Sequence, residues 1–410
     1  MKINKNEILP KIIWVAAKPP IPPFFGAILK SVEAIKIIST VTSVDVITFV
    51  DKENSADISY KFKKYWGGRN YPVKLYPVNY GKTINSFQAV AIKRFKTSVP
   101  IENSNLSEIL NKLNWNSTEC LLILDDIILA PLCSKYGMNA IFSPHDCISE
   151  MNWSHFRHST LNITTFKYYI RFLLARYYEK SFYHFTLLVH VVTHRDRIIL
   201  EKINPKARYC VVPIGGLFGV KFDKAEKCSY DIIVWANLGI STLAKGVKDF
   251  LHILKHKPKL LKNIKIIVVG RTSFAMAEKI LGKELLSLVE YSPYLEDKNG
   301  KVMKAKITLI PDVGGQGIKS RCLSVLSSGE CLACLYTQME GIEQLCDKGA
   351  INASSMEELV EKIDLVLKKK MYHEISKAGQ SIFIRYYNLE SIRELWLEII
   401  ERAVQIRNFR

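Results

Sequence analysis

Short apolar runs of strand length alternate with stretches of helical periodicity along the chain. Runs such as KIIWVAA, VDVITFV and CLLILDD lie in the first half, and YDIIVWA, IKIIVVG and CLACLY lie in the second. Between them are segments with apolar residues at helical spacing, such as GAILKSVEAIKIIST. Apolar runs separated by helices are typical of parallel strands that are covered on both faces. The alternation therefore predicts an α/β fold.

The apolar runs fall into two groups, which predicts two domains. The first group ends at about Ile214 and the second begins at Tyr230; between them, GGLFGVKFDKAEKCS carries three glycines and five charged residues, as linkers often do. We expect two doubly wound, Rossmann-like domains that face a cleft. They comprise residues 1–216, completed by a C-terminal helix at 389–410, and residues 230–388, with the linker at 217–229. Such sheets bind ligands at the carboxyl ends of their strands.

Charge and composition restrict the partners. The chain has 410 residues and a net charge of +19, so we expect an anionic partner: phosphorylated substrates, an acidic membrane surface or nucleic acid. Nucleic acid is not expected, because the basic residues are dispersed and no binding module is recognisable. No apolar run reaches the roughly 18 residues of a membrane span, and no signal peptide is visible. These features predict a cytoplasmic protein.

The sequence does not indicate a metal site or a cofactor. Nine scattered cysteines favour reduced thiols over a disulfide framework. Cys331 and Cys334 form a CxxC pair in a strand-like run, without the second ligand pair that a zinc site needs. Asp125 and Asp126 follow the strand CLLIL, but adjacent side chains at a strand end point to opposite faces. We interpret these two acids as structural or as lining a cleft.

One late stretch, GGQGIKSRCLSVLSSG, combines features that suit an anionic ligand. It follows the predicted strand KITLIP and precedes a helix that we expect to begin near Ile318. A helix start favours anions, glycines allow close approach of the backbone, and Lys319 and Arg321 supply cations. The alternative is a glycine-rich turn with a solvated basic first helical turn. The spacing is that of neither a Walker loop nor a first-strand dinucleotide motif.

This stretch resembles the donor-site motif of the GT-B glycosyltransferases, in particular glycosyltransferase family 4. Other segments resemble further landmarks of that family and together extend the resemblance over most of the chain. The matching residues and segments are Gly315, Gly317, Ile318, Lys319, Arg321, Leu323 and Gly329, then Thr337, Glu340 and Gly341, and the segments KPPIPPFFG, SPHDCIS, VVTHRDRIIL, VVPIGG and LAKGVKDFLHIL.

The resemblance implies roles for individual residues. Lys319 and Arg321 would act in catalysis by neutralising the donor diphosphate, and His145 and Asp146 would lie at the catalytic cleft. Further donor-binding residues would be Gly26, Lys245, Gly315, Gln316, Gly317, Ile318, Ser324 and Glu340. Ser324 departs from the family, which has a glutamate there for the ribose hydroxyls of the donor. For His145 and Asp146, a structural interpretation stays open: Asp146 would cap the next segment, and His145 would serve as a structural hydrogen-bond donor.

A second basic feature is the segment TTFKYYIRFLLARYYEKSFYHF. Lys167, Arg171, Arg176 and Lys180 recur at spacings of four or five, and aromatic residues fill much of the remaining surface. A basic face beside aromatics is typical of a helix that lies on an anionic membrane surface. The alternative is a helix that packs on the first sheet with a solvated basic face, and the two interpretations are compatible.

These features lead to a specific expectation of function. By its resemblance, the protein would be a metal-independent, retaining glycosyltransferase that moves a sugar from a nucleotide-sugar to a glycan or lipid-linked acceptor in surface polysaccharide biosynthesis. It would act in the cytoplasm or at the cytoplasmic face of the membrane. Because Ser324 replaces the expected glutamate, a catalytically inactive GT-B-like binding or scaffold protein is the alternative. A sugar-nucleotide epimerase is a third, weaker option.

Overall fold

The computed structural model describes ten segments of the chain. They are residues 9–22, 27–50, 54–67, 71–79, 105–158, 163–215, 228–295, 303–314, 318–342 and 348–409. These residues group into two compact units. The first unit lies within Met1–Trp153, Asn162–Ile214 and Leu389–Arg410, and the second lies within Ser154–Leu161 and Gly215–Asn388. The predicted linker lies almost wholly outside the described residues.

The first unit contains a parallel sheet of seven strands. Their order across the sheet is β3-β2-β1-β4-β5-β6-β7. Strands β2 and β3 are added on one side of β1 and strands β4 to β7 on the other, so the strand order reverses between β1 and β4. Such a reversal leaves a crevice at the carboxyl ends of the two strands. The strands are β1 (Lys11–Ala16), β2 (Val44–Val50), β3 (Val73–Asn79), β4 (Cys120–Asp125), β5 (Ala140–His145), β6 (Leu188–Val191) and β7 (Tyr209–Val211).

Eight helices belong to this part of the described chain. The last of them, α15, packs against α1 of the same unit, which its apolar face explains. The helices are α1 (Ala27–Ile38), α2 (Ser55–Trp66), α3 (Leu106–Lys112), α4 (Cys133–Tyr136), α5 (Ile148–His158), α6 (Ile163–Phe182), α7 (His194–Ile203) and, after the second unit, α15 (Leu389–Asn408).

The second unit contains a parallel sheet of six strands in the order β10-β9-β8-β11-β12-β13. The reversal here lies between β8 and β11. Its strands are β8 (Tyr230–Trp235), β9 (Ile266–Val269), β10 (Glu290–Ser292), β11 (Ala305–Ile310), β12 (Cys331–Leu335) and β13 (Ile351–Ala353). Its helices are α8 (Ser241–Lys255), α9 (Pro258–Leu261), α10 (Phe274–Leu281), α11 (Lys283–Leu286), α12 (Ser320–Ser327), α13 (Met356–Lys369) and α14 (Tyr372–Tyr386).

The predicted fold class is confirmed: both sheets are parallel and both have the doubly wound strand order. Strands β1, β2, β4 and β5 are buried along their central residues, as their continuous apolar runs require. Three strands were not predicted. Strand β3 contains Pro77 and lies at a sheet edge, where proline is tolerated, and β10 and β13 have three residues each.

One glycine explains how α8 approaches the carboxyl edge of the second sheet. A Cβ atom added to Gly246 would lie 1.5 Å from the carbonyl oxygen of Pro311, the residue that follows β11. Any side chain here would therefore push the helix away from the strand. This contact sets the part of α8 that carries Lys245 and Gly246 beside Pro311, where the chain leaves β11 towards α12.

Candidate functional site

The predicted donor motif lies at the carboxyl edge of the second sheet. Strand β11 ends at Ile310 and α12 begins at Ser320, two residues later than expected. Ile318 is buried, and Lys319 is the extended residue that precedes the helix. The predicted Gly315, Gln316 and Gly317 lie outside the described residues, as does Gly26 in the first unit.

The described residues around this loop are held by buried polar groups. Asp312 is almost fully buried, and its Oδ1 accepts a hydrogen bond from the backbone N–H of Gly314 at 3.3 Å. The side chain of Gln338, fully buried, donates from Nε2 to the carbonyl oxygen of Gly314 at 3.2 Å. Gly314, at which the glycine-rich segment begins, is thus held through both its N–H and its carbonyl group.

Lys319 and Arg321 both lie at the start of α12, and both are partly exposed. Burial lowers the pKa of the Arg321 guanidinium, and the negative charge of Asp312 partly offsets this. Arginine stays charged in proteins even so, and a charge with little water around it interacts more strongly with an anion. Ser324 lies one turn later, partly exposed, on the same helix.

Lys245 and Glu340 lie in the segments that follow β8 and β12, the two neighbours of β11 in the sheet. Lys245 is the fifth residue of α8, and its ammonium lies 2.7 Å from Asp249 one turn later. Its side chain is 60% exposed, so this pair is a surface pair. Glu340 is buried and follows β12, beside Gly341, whose φ of +79° suits glycine. The hydroxyl of Tyr387 donates to the carbonyl oxygen of Gly341 at 2.6 Å.

In the first unit, the carboxyl edge is built around Asp125. This residue ends β4 and is buried. Its Oδ2 accepts hydrogen bonds from the Trp14 indole at 2.9 Å and from the Ser31 hydroxyl at 2.5 Å. Its Oδ1 lies 2.5 Å from Nε2 of His145, the last residue of β5. Asp125 therefore joins β1, α1, β4 and β5 at one point.

Asp126 points elsewhere, as the sequence predicted for adjacent acids. It has a φ of +102°, and its Oδ1 accepts from the backbone N–H of Ile128 at 3.1 Å, which caps a short 3-10 helix. Burial raises the pKa of its carboxyl group, and the bond from Ile128 acts in the opposite direction. The role of Asp126 is structural in this arrangement.

His145 has an unusual backbone and a buried ring. Its φ is +71°, a conformation that non-glycine residues seldom adopt and that often marks functional sites. The side chain is about 4% exposed, and no hydrogen-bond partner of Nδ1 is found among the described residues. The ring borders a small pocket together with Lys30, His190 and Trp396.

Asp146 does not cap the helix that follows it. Its Oδ2 lies 2.6 Å from the ammonium of Lys30 on α1, and both side chains are largely buried. Near the start of α5, the Ser149 N–H instead donates to Glu179 on α6 at 2.9 Å, and the Ser149 hydroxyl donates to the same carboxylate at 2.5 Å. The structural alternative for Asp146 in its predicted form is therefore wrong.

Glu179 is a residue that the sequence did not single out. It is fully buried, and burial raises its pKa to about 7, against the lowering effect of the two bonds from Ser149. A neighbouring bond completes the support of this turn: Cys147 N–H donates to Asp196 Oδ1 at 2.8 Å. The chain on the carboxyl side of His145 and Asp146 is thus fixed by buried acids from α6 and α7. The only sequence signal was a single acid on a basic helix.

His190 was also not predicted. Its Nε2 lies 3.0 Å from the carbonyl oxygen of Val212, which can only accept, so Nε2 carries the hydrogen and Nδ1 accepts from the Ser143 hydroxyl at 2.9 Å. Burial lowers its pKa to about 3, so the ring is neutral. The ring centroid lies 4.7 Å from that of Trp396 on α15. The C-terminal helix therefore forms one wall of the pocket beside His145.

The described residues form neither a membrane-spanning helix nor a cluster of metal ligands. None of the described helices has the length and apolar character needed to cross a bilayer. Within the same part of the chain, no three side chains of the His, Cys, Asp and Glu types are grouped as a metal site would require.

Comparisons with known proteins bear on the fold. No protein-family model matches the chain, and no curated protein sequence matches it. Solved structures do. TarM, of S. aureus, is similar over 97% of this chain and 100% of its own, with a TM-score of 0.68 and 14% identity. The sucrose-phosphate synthase of Thermosynechococcus elongatus is similar over 96% of this chain and 98% of its own, with a TM-score of 0.66 and 11% identity.

The chain has the GT-B fold. Anabaena HepE in complex with UDP-glucose, another GT-B protein, is similar over 95% of this chain and 99% of its own, with a TM-score of 0.60 and 11% identity. The GT-B resemblance predicted from the sequence is confirmed at the level of the fold. Membership of glycosyltransferase family 4 stays a prediction, as do the roles of the individual site residues.

Proposed function

We propose that this GT-B protein is a glycosyltransferase that moves a sugar from a nucleotide-sugar to a glycan or lipid-linked acceptor. The observation that carries the proposal is the position of Lys319 and Arg321 at the start of α12, beyond the carboxyl end of β11. Ligands of doubly wound sheets bind at this edge. In support, HepE, which has the same fold, binds UDP-glucose.

On the donor side, the proposed reaction depends on charge. When the bond between the sugar and the diphosphate breaks, negative charge grows on the leaving phosphate. Lys319 and Arg321 would stabilise that charge, and the partial burial of Arg321 strengthens its contribution. Lys245 would add a third cation, since its exposed pair with Asp249 costs less than about 1 kcal/mol to open. These cations would take the part that a metal ion plays in other transferases.

On the acceptor side, the first unit supplies an oriented imidazole. Nε2 of His145 lies 2.5 Å from the Asp125 carboxylate, and Nδ1 is buried without a hydrogen-bond partner among the described residues. We propose that Nδ1 accepts a hydrogen bond from a sugar hydroxyl. Retention of anomeric configuration is part of the proposal: the leaving phosphate, held by the cations of the second unit, would take the proton of the acceptor hydroxyl.

The donor site is tested with purified protein and a panel of UDP-, GDP-, ADP-, CMP- and dTDP-sugars. A bound nucleotide-sugar at about 100 times its dissociation constant stabilises the folded state by roughly 2.7 kcal/mol, which a thermal shift detects. We expect one donor class to shift the wild type, and the double variant Lys319→Ala, Arg321→Ala to lose both the shift and transfer. The matched control is Lys259→Ala, Lys262→Ala, which removes two cations before β9, at the opposite edge of the same sheet. Transfer at the wild-type rate in the first variant contradicts the proposal.

Because Ser324 stands where the family has a glutamate, one alternative remains: a GT-B protein that binds a glycan or a partner transferase without turnover. A donor that shifts the melting temperature without hydrolysis or transfer would favour it. Product analysis without acceptor separates the third option, because an epimerase would convert the nucleotide-sugar itself.

We propose further that α6 docks the protein on an anionic membrane surface. Phe166, Leu173 and Tyr177 are 60%, 47% and 58% exposed, and their spacings of seven and four residues place them on one face of the helix. Four basic residues share the helix: Lys167, Arg171, Arg176 and Lys180. Its only acid, Glu179, is fully buried, so the exposed surface that the structure describes on α6 is apolar and basic. Anionic lipid headgroups complement both features.

Vesicle sedimentation tests this surface. With vesicles of phosphatidylcholine and 30% phosphatidylglycerol, we expect Phe166→Ser, Leu173→Ser, Tyr177→Ser to release most of the bound protein, since each buried apolar group adds to binding. The control is Tyr60→Ser on α2, which removes a side chain that is 66% exposed. Equal binding of the triple variant and the control, or equal binding to vesicles of phosphatidylcholine alone, contradicts the docking proposal.

A further inference from the structure

The residues that follow His145 are held one after another, and we call residues 145–149 the His145 turn. The φ of +71° at His145 costs free energy in a residue with a side chain, so the contacts around it must maintain it. The N–H of Val192 donates to the His145 carbonyl oxygen at 2.9 Å. Two residues later, the N–H of Cys147 donates to Asp196 on α7 at 2.8 Å. The first part of the turn is therefore fixed from β5, from the segment after β6 and from α7.

Glu179 holds the last part of the His145 turn from α6. Its Oε1 accepts from the backbone N–H of Ser149 at 2.9 Å, and its Oε2 accepts from the Ser149 hydroxyl at 2.5 Å. The thiol of Cys147 lies 3.8 Å from Oε1. Both oxygens of this fully buried carboxyl are thus directed at the turn. Without the carboxyl, the end of the turn would lose its attachment to α6.

The charge of Glu179 depends on groups from several elements. Burial raises its pKa to about 7, against the lowering effects of the Ser149 bonds and of Arg176, an exposed cation one turn earlier on α6. Asp196 faces the same turn from α7 and also accepts from Thr193. Burial raises the pKa of the surrounding thiols and phenols, which therefore stay neutral near pH 7: Cys133, Cys147, Tyr183 and Tyr209.

We propose that Glu179 is a positioning residue of the acceptor side: its carboxyl holds the His145 turn and thereby fixes the place of the His145 ring and of Asp146. This inference rests on the proposed function, in which His145 accepts a hydrogen bond from a sugar hydroxyl. Displacing a substrate-positioning group by about 1 Å can lower a rate about 100-fold. Glu179 is itself fully buried, so it acts through Ser149 and not on the substrate.

Substitutions on α6 and beside it separate positioning from stability. Glu179→Ala removes both bonds to Ser149, whereas Glu179→Gln keeps an oxygen that accepts from the N–H. We expect kcat to fall about tenfold or more in the alanine variant, with the KM of the nucleotide-sugar changed less than about twofold, and to recover largely in the glutamine variant. Asn204→Ala is the matched control, because it removes two hydrogen bonds to the carbonyl oxygens of Glu179 and Lys180 and none to the turn. An equal loss of kcat in this control, or no recovery with glutamine, would overturn the proposal.

A second measurement needs no substrate. The NMR resonances of the His145 ring, assigned by their loss in His145→Gln, report on its contact with Asp125 at 2.5 Å. We expect them to shift in Glu179→Ala and to stay in place in Asn204→Ala. A shift without transfer from any donor would leave the positioning role intact while the proposed function fails, whereas unchanged resonances in Glu179→Ala would overturn the role. If the alanine variant does not fold, Ser149→Ala replaces it, since it removes the hydroxyl bond from the other side.

The opening of the His145 turn should also depend on pH. In the closed turn Glu179 keeps its proton up to about pH 7, whereas opening hydrates the carboxyl and returns its pKa towards 4.5. The opening constant should therefore rise about tenfold per pH unit between about pH 5 and pH 7 and level off above. Hydrogen exchange of the amides of residues 147–149, divided by the intrinsic rate at each pH, measures it, and in Glu179→Gln we expect no rise. A constant value in the wild type, or an equal rise in the variant, would overturn this control of the turn by Glu179.

Discussion

The carboxyl edges of the two sheets have the same topology but very different electrostatics. In the first unit, Asp125 with His145 and Asp146 with Lys30 form close pairs, and all four side chains are at most 16% exposed. In the second unit, Lys319 and Arg321 are partly exposed and Lys245 is largely exposed. One edge is filled by its own paired charges, whereas the other presents cations at a helix start.

This difference separates stability from ligand binding. Buried charges are stable only when paired, so the first edge must form as a unit when the protein folds. Cations that reach solvent add little to the stability of the folded protein through their surface pairs, and they favour an anion that arrives. The first edge should therefore tolerate few substitutions, while the second edge should tolerate many at the expense of the proposed function.

The largest expected effect follows from removing the centre of the first edge. Asp125→Ala leaves the Trp14 indole and the Ser31 hydroxyl without their acceptor and removes the carboxylate that lies 2.5 Å from the His145 ring. Leaving a buried donor unsatisfied costs about 1–3 kcal/mol for each donor. Lys319→Ala, at the second edge, should change the free energy of unfolding by less than about 0.5 kcal/mol. Hydrogen exchange in increasing urea measures the opening of each unit through its own peptides.

Asp125→Asn keeps this test informative if the alanine variant does not fold. The amide retains the volume and one acceptor oxygen, so we expect a loss of about 1–2 kcal/mol, confined to peptides of the first unit. Similar losses from Asp125→Asn and Lys319→Ala would remove the distinction between the two edges.

Local sequence patterns were sufficient to predict most of the strands and the position of Lys319 and Arg321. Continuous apolar runs predicted ten of the thirteen strands, because each run of buried residues carries its own signal. The three strands that were missed carry little signal: β3 contains Pro77, and β10 and β13 are too short for periodicity. Lys319 and Arg321 were found for the same reason, since strand, glycine-rich loop and helix start are adjacent in sequence.

The first edge could not be read in this way because its contacts are long-range. Trp14 and Asp125 are 111 residues apart, and Ser149 and Glu179 are 30 residues apart. The sequence left Asp125 as a structural acid or as lining a cleft, and its contact with His145 depends on the order of β4 and β5 in the sheet. Glu179 was overlooked because its sequence neighbours belong to the exposed basic face of α6, whereas its own side chain points inwards.

Glu179 should make the stability of the first unit depend on pH, with an effect smaller than that of Asp125→Ala. Its folded-state pKa is raised to about 7 from an ordinary value near 4.5, because burial penalises the carboxylate. Between these two values the folded protein holds a proton that the unfolded chain has released, so stability falls as pH rises. The loss amounts to roughly 3 kcal/mol by pH 8 at 1.36 kcal/mol for each unit of pKa. It should be measured in peptides of the first unit.

Glu179→Gln removes the titration while keeping an oxygen that accepts from Ser149. We expect the variant to be less stable than wild type at pH 5, where a protonated Glu179 makes these bonds without charge, and to approach or exceed wild type at pH 8. Urea unfolding at both pH values, read from first-unit peptides, measures the crossing. Parallel curves for the two proteins would mean that the carboxyl group does not titrate between pH 5 and 8. The turn that carries His145 and Asp146 would then be held by an ionised Glu179 throughout, which would make the first edge more firmly paired than we infer.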